Sequence, residues 1–263
     1  MAVTLPNLVR VPAGPFLMGS DEGDEHELPA RVVTLDIFLI GVGQVTNAEY
    51  ERFVRTTARR PPGVDDLPAI VRPAQEGYFR ELASAYRWHH GEPPTGKADH
   101  PVVLVTHEDA REYCHWLADQ SGSPFRLPTE AEWEKAARGG REGARYPWGD
   151  HIDSTLASFL PHASMKPKMG TGPVRACPPN GYGLYGMSGN VWEWVSDWYR
   201  SDYYAASDPY NPTGPITGTL RVLRGGAWTN EDVRYLRCAS RLPVPADTFA
   251  YSIGFRVACS ARP

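Results

Sequence analysis

The chain has 263 residues, 41% hydrophobic and 22% charged, with a formal net charge of −4 and a pI near 6.1. That profile fits one large globular domain over residues 1–263, with two small domains as the alternative. The slightly acidic balance supplies no general attraction to phosphate backbones or anionic lipid, so nucleic acid and membrane are not expected as partners.

Residues Met1–Arg10 lack a basic stretch followed by an apolar one, and no later run approaches the ~20 apolar residues of a membrane span. A cytoplasmic location is therefore the expectation. Cys114, Cys177, Cys238 and Cys259 are too scattered for a disulfide framework or a paired-cysteine zinc site, and they read as small buried hydrophobes. With 25 prolines, 25 glycines and 8 tryptophans, long regular elements should be scarce and many turns should hold aromatic side chains.

In chain order, Val9–Gly19 predicts short strands interrupted by Pro and Gly, and Arg31–Ile40 predicts a strand. Between them Asp21–Glu27 is an acidic run, read as a solvated loop because a calcium loop needs oxygen ligands at set offsets. Thr46-Asn-Ala-Glu49 has the capping-box pattern and opens a helix to about Thr57, with Tyr50, Phe53 and Val54 on one face. Residues 58–99 read as a long loop with a short helix near Glu76–Ser84. Thr106 caps a second clear helix whose apolar face is Ala110, Tyr113, Cys114 and Leu117, and Glu108 and Asp109 sit at the positive end of its dipole. Thr129 caps a third, with Glu132 at the box position, and Gly139-Gly140 ends it. Beyond Tyr146 the pattern dissolves into short strands and Gly/Pro/Trp turns. The fold class that follows is α+β, with two or three helices and a small antiparallel sheet.

Several blocks stand out in order: Val11-Pro-Ala-Gly-Pro-Phe-Leu-Met-Gly-Ser20, Val45–Tyr50, His100–Val103, Arg126-Leu-Pro-Thr-Glu-Ala-Glu-Trp-Glu134 and Tyr146–Gly149. The series closes with Gly181–Trp194, Arg224-Gly-Gly-Ala-Trp228 and Ile253-Gly-Phe-Arg-Val-Ala258. Together they resemble the formylglycine-generating enzyme, or sulfatase-modifying-factor, family, which implies its variant of the C-type lectin fold. Arg126 and Glu134 are candidates for a buried pair inside that frame.

The resemblance also implies chemistry. The family's oxidase uses two cysteines five residues apart, after the Gly-Gly-aromatic block, to hold copper and exchange with a substrate cysteine; soft thiolates are what Cu(I) selects. Here those positions carry Asn230 and Tyr235, the loop is about two residues short, and Cys238 falls in a different family segment. No copper is expected. His89-His90 and His107 lack helical ligand spacing, and no nucleophile elbow, P-loop or dinucleotide fingerprint occurs. Calcium is the one cofactor the resemblance suggests, through Gly189, Val191 and Glu193, although the family's additional Asn ligand is Gly186 here. The family's other calcium loop is shortened and basic here (Lys166, Lys168), and no ion is expected on it.

What remains is a recognition segment, residues 229–252, bounded by rigid blocks. Its candidate ligand-binding residues are Thr229, Tyr235, Ser240, Leu242, Val244, Thr248, Phe249 and Tyr251, which either form an exposed surface or pack beneath the loop. The segment also resembles that of variable proteins from diversity-generating retroelements, in which template asparagines are replaced. These residues belong to the set reachable from an Asn codon by changing adenines, and Lys, Gln, Met and Trp are absent after Trp228, whereas Glu231 lies outside the set. The expected function is a non-catalytic binding domain for a protein or small-molecule ligand. An atypical formylglycine-generating oxidase, or another enzyme using the same groove, is the alternative.

Overall fold

The computed structural model of the protein describes residues 4–65, 73–160 and 170–261. Four strands open the chain: β1 (Leu8–Val11), β2 (Gly14–Met18), β3 (Arg31–Leu35) and β4 (Phe38–Gly41). The single strand expected over 31–40 is two, because the chain turns at Asp36. There Asn211 holds it, accepting the Asp36 N–H at 2.9 Å and donating to its carboxylate at 3.0 Å. As a result β3 pairs with β2 in a ribbon, while β4 joins the sheet β1-β4-β10-β5 with β5 (Phe125–Arg126) and β10 (Ala258–Ser260). The first and last strands of the described residues thus flank β4.

Helices α1 (Asn47–Thr57), α3 (His107–Ser121) and α4 (Glu130–Arg138) all start on capping boxes built by Thr46, Thr106 and Thr129. In each, the hydroxyl accepts an orphan N–H of the first turn and an acid three residues on accepts the N-cap N–H. Ala58, Gly122 and Gly139 close them in left-handed conformation. Between them α2 (Glu76–Ser84) occupies the short helix expected in the long loop. Tyr50 and Phe53 of α1 pack on Tyr113 and Trp116 of α3, and Phe255 closes the cluster. Full burial of each such side chain contributes about 1.5–3 kcal/mol, which is why α1 and α3 stay docked.

The second sheet has order β8-β7-β6-β9, from β6 (Trp192–Trp198), β7 (Leu220–Arg224), β8 (Arg241–Pro245) and β9 (Ile253–Phe255). A short helix, α5 (Tyr203–Ala206), leaves β6. Strand β8 is one of the short strands expected beyond Tyr146, at a position that its prolines disguise. It tolerates Pro243 and Pro245 because it is an edge. The Tyr199 N–H bonds to Leu220 O at 2.8 Å, so Leu220 and Val222 point their peptide groups toward β6, and their partners Pro245 and Pro243 face the open side.

Buried ion pairs tie α4 to this sheet. Glu134 is fully buried; its carboxylate accepts from Arg138 at 2.6 Å, from Arg224 at 2.6 Å and from the Gly19 N–H at 2.8 Å. Glu130 holds Arg241 through two bonds at 2.7 and 3.0 Å. The expected pairing of Arg126 with Glu134 is corrected: Arg126 pairs with Glu132 at 2.6 Å, the acid that the capping box already folds back toward the start of the helix. Glu134, two residues on, faces inward instead.

Candidate functional site

The site grows from the turn after β7. Gly225 and Gly226 take φ of +94° and +72°, and a Cβ on Gly226 would stand 2.8 Å from the Tyr235 carbonyl. Only glycine lets the following loop fold back this closely. The loop runs out to exposed residues 231–234 and returns through a single 3₁₀ turn, Val233–Leu236.

The two positions where the resemblance places thiols are both committed to structure. Asn230 Oδ1 accepts the Ala227 N–H at 2.7 Å, and its backbone bonds Ala227 and Leu160, so it locks the turn. Tyr235 meets the Trp192 ring edge-on at 5.8 Å. Cys238 is buried beneath them, and burial pushes its thiol up to about 12, far from a thiolate at neutral pH. Cys114 and Cys259 are buried as well, and Cys177 is partly exposed.

The eight candidate binding residues divide. Thr229, Tyr235, Leu242, Phe249 and Tyr251 are partly exposed, whereas Ser240, Val244 and Thr248 are buried. Those three cannot contact a ligand without opening the fold, and their selection as surface residues is corrected on that ground. The exposed five do not form one patch. Phe249 and Tyr251 pack against α2, with Phe79 at 6.4 and 5.6 Å, Tyr86 stacked on Tyr251 at 6.5 Å and Trp228 at 5.8 Å. Tyr235, Leu242 and Pro243 instead line an open depression of about 700 Å³ with Tyr199, Arg234 and Glu25. The contributions of Phe79, Tyr86 and Tyr199 come from elements distant in sequence, and no local pattern announces them.

The calcium expectation meets a carboxylate that is already used. Glu193 is fully buried and accepts from Arg256 at 2.6 and 2.8 Å, from the Trp133 indole at 2.8 Å and from Gln44 at 2.9 Å. Gly186 O also accepts from Gln44 at 2.8 Å. A guanidinium at this position repels a dication, and the donor set of Gly189, Val191 and Glu193 does not fit one. Gly189 is glycine for a different reason: its φ is +79° and a Cβ would stand 2.3 Å from Ser158 O. The basic loop positions Lys166 and Lys168 lie outside the described residues.

The acidic run Asp21–Glu27 is only partly solvated. Glu27 is fully buried in a two-bond pair with Arg237 at 2.7 and 2.8 Å, which anchors the run against the returning loop. Asp24, His26 and Glu27 bring ligand atoms within 4.8 Å of one another. Arg237 and Arg241 stand among them, however, and burial first, then the Arg241 charge, holds the His26 pKa below its usual value. This is an ion-pair cluster in which the positive charges are already supplied. No helix among the described residues is long and apolar enough to cross a membrane.

Comparison with known proteins agrees with this frame. The sulfatase-modifying factor enzyme 1-like domain matches residues 1–261. The formylglycine-generating enzyme of Thermomonospora curvata is 37% identical, covering 97% of this chain and 93% of its own, and the inactive C-alpha-formylglycine-generating enzyme 2 of Mus musculus is 32% identical over 97% and 86%. Among solved structures, PvdO from Pseudomonas aeruginosa superposes with a TM-score of 0.76 at 28% identity, covering 97% of this chain and 95% of its own. Treponema denticola variable protein 1 superposes at 0.74 and 23%, with the same coverage of both chains, a likeness of fold. With its strand order, its Gly-Gly turn and a match along nearly its whole length, this chain belongs to the sulfatase-modifying factor family and has the formylglycine-generating-enzyme type of C-type lectin fold.

Proposed function

We propose that this chain is a non-catalytic binding domain of its family, presenting the loop after Trp228 and the neighbouring half-exposed residues to a protein or small-molecule ligand. The observation that carries the reading is the fate of the two thiol positions. Asn230 is a turn-locking residue and Tyr235 an aromatic packing residue, and neither offers the soft ligand that Cu(I) requires. Cys238, close by in sequence, is buried with its proton held tightly. A relative named as inactive, 32% identical to this chain, supports the presence of non-catalytic members in the family.

The binding surface is narrower than the segment 229–252. Thr229, Tyr235 and Leu242 flank the exposed loop 231–234, and Phe249 and Tyr251 add a second face packed against α2. Tyrosines on fixed frames give large contact area at low entropic cost. Diversification of this surface is the finer form of the reading, supported by the fold likeness to a variable protein. A near-copy of the 3′ coding end beside a reverse-transcriptase gene is the result it expects.

Two measurements test the reading. Titration with Cu(I) is expected to give no stoichiometric thiolate complex. Incubation with a Cys-x-Pro-x-Arg peptide and oxygen is expected to leave the peptide mass unchanged. Copper bound one to one through sulfur, or conversion of the peptide cysteine to an aldehyde, would replace the proposal with the enzymatic alternative.

A further inference from the structure

Six Lys and Arg side chains are buried among the described residues: Lys135, Arg138, Arg224, Arg237, Arg241 and Arg256. Each of the five arginines pairs with a glutamate. Lys135 does not. It is 4% exposed, and its ammonium donates only to Pro12 O and Gly14 O, both at 2.8 Å. An ammonium has three donors, so one remains, and two carbonyl dipoles do not replace a counter-charge. Burial drags its pKa below the usual lysine value, and no neighbouring acid offsets the shift.

Lys135 lines a cavity of about 360 Å³ between the β2–β3 ribbon and the C-terminal turn of α4. Phe16, Leu17, Val32 and Tyr182 provide its apolar wall. Val32 is 58% exposed, a large open surface for a strand valine. Arg141 is exposed with no acid partner among the described residues, and Glu142, also exposed, lines the same cavity. Arg138, also in the lining, is already neutralised by Glu134. The site therefore offers one buried and one exposed cation, with a single exposed carboxylate, beside an apolar surface, in a volume at the lower end of the roughly 300–1,000 Å³ typical of small-molecule pockets.

We propose that this cavity binds a small amphipathic carboxylate, its head group pairing with Lys135 and Arg141 and its tail lying on Phe16, Leu17, Val32 and Tyr182. The anion supplies the charge that the fold withholds from Lys135, and the tail covers apolar surface the ribbon leaves open. The site lies apart from residues 229–252 and stands independently of the function proposed for them.

The test is calorimetric titration of the full chain with octanoate and with 1-octanol, the same tail without the charge. Saturable octanoate binding is expected, with octanol weaker by about tenfold or more, as loss of a charge-assisted contact implies. Lys135→Met keeps the stem and removes the charge, and should weaken octanoate by at least that factor. If that variant does not fold, Val32→Glu serves instead: it places a like charge in the wall at an exposed position and should abolish octanoate binding while thermal unfolding stays cooperative. Equal binding of octanol, no saturation at millimolar octanoate, or octanoate binding unchanged in the folded variants would overturn the proposal. In the last case Lys135 serves only to fasten the β1–β2 turn.

Discussion

Glu134→Gln isolates what holds α4 to the second sheet. The substitution keeps the side-chain shape but removes the charge that Arg138 and Arg224 share, and both guanidinium groups are buried. Arg224 retains Glu130 at 3.6 Å and three carbonyl acceptors, so it is not stranded completely; Arg138 keeps only Gly19 O and Ala144 O. Breaking a buried pair by removing one partner costs about 3–5 kcal/mol. At about 2 °C per kcal/mol for a chain of this size, the melting temperature should fall by about 6–10 °C. Arg111→Gln is the control. Its pair with Glu108 is about half exposed on both sides, and such pairs contribute at most about 1 kcal/mol. Urea denaturation and scanning calorimetry of both variants read the difference directly. Equal losses in the two, or a loss below about 1 kcal/mol for Glu134→Gln, would refute the view that burial decides the weight of these pairs.

Two further outcomes follow from buried polar groups. Asp197 is buried, accepts the Glu130 N–H at 2.8 Å and lies beside the Glu130 carboxylate; burial first, and that charge second, push its carboxyl up to about 7. The folded chain thus holds this proton more tightly than the unfolded one. The stability it confers is complete below about pH 4 and is lost as the pH rises toward 7, at up to about 1.4 kcal/mol per pH unit. Asp197→Asn, always neutral, should flatten the fall in urea midpoint between pH 4.5 and 7.5, and an unchanged slope would assign that fall to another group. Thr248 is fully buried and its hydroxyl has no partner among the described residues. Thr248→Val should raise stability by about 1 kcal/mol, the penalty for an unsatisfied hydroxyl, and a measurable loss in denaturant melts would count against it.

Local signals made the helices readable. Thr46, Thr106 and Thr129 each announce a helix because the cap, the returning acid and the apolar face all lie within a few residues. Even α2 was legible amid poor sequence. Arg31–Ile40 was not, since the residue that breaks it, Asn211, comes from the far side of the chain. The bounds of β8 were not legible, because Pro243 and Pro245 read as turn residues and are tolerated there on an edge strand. The partner of Arg126 was misassigned because both Glu132 and Glu134 are within reach, and only the direction of the helix face separates them. For the site, the missing thiols and the Gly-Gly turn could be read directly. The burial of Ser240, Val244 and Thr248, the aromatic backing from α2 and the engagement of Glu193 by Arg256 depend on tertiary neighbours that no window of sequence contains.

The proline pair on β8 has a bearing on how much change this region tolerates. An unprotected border strand is a template on which another polypeptide can zip itself, and that hazard grows when surrounding side chains become more hydrophobic. Here the outward-facing peptide nitrogens at 243 and 245 carry no hydrogen, so two of the donors that a further strand would use are missing. Greasy or aromatic replacements in the adjoining loop then carry less risk of seeding fibrils.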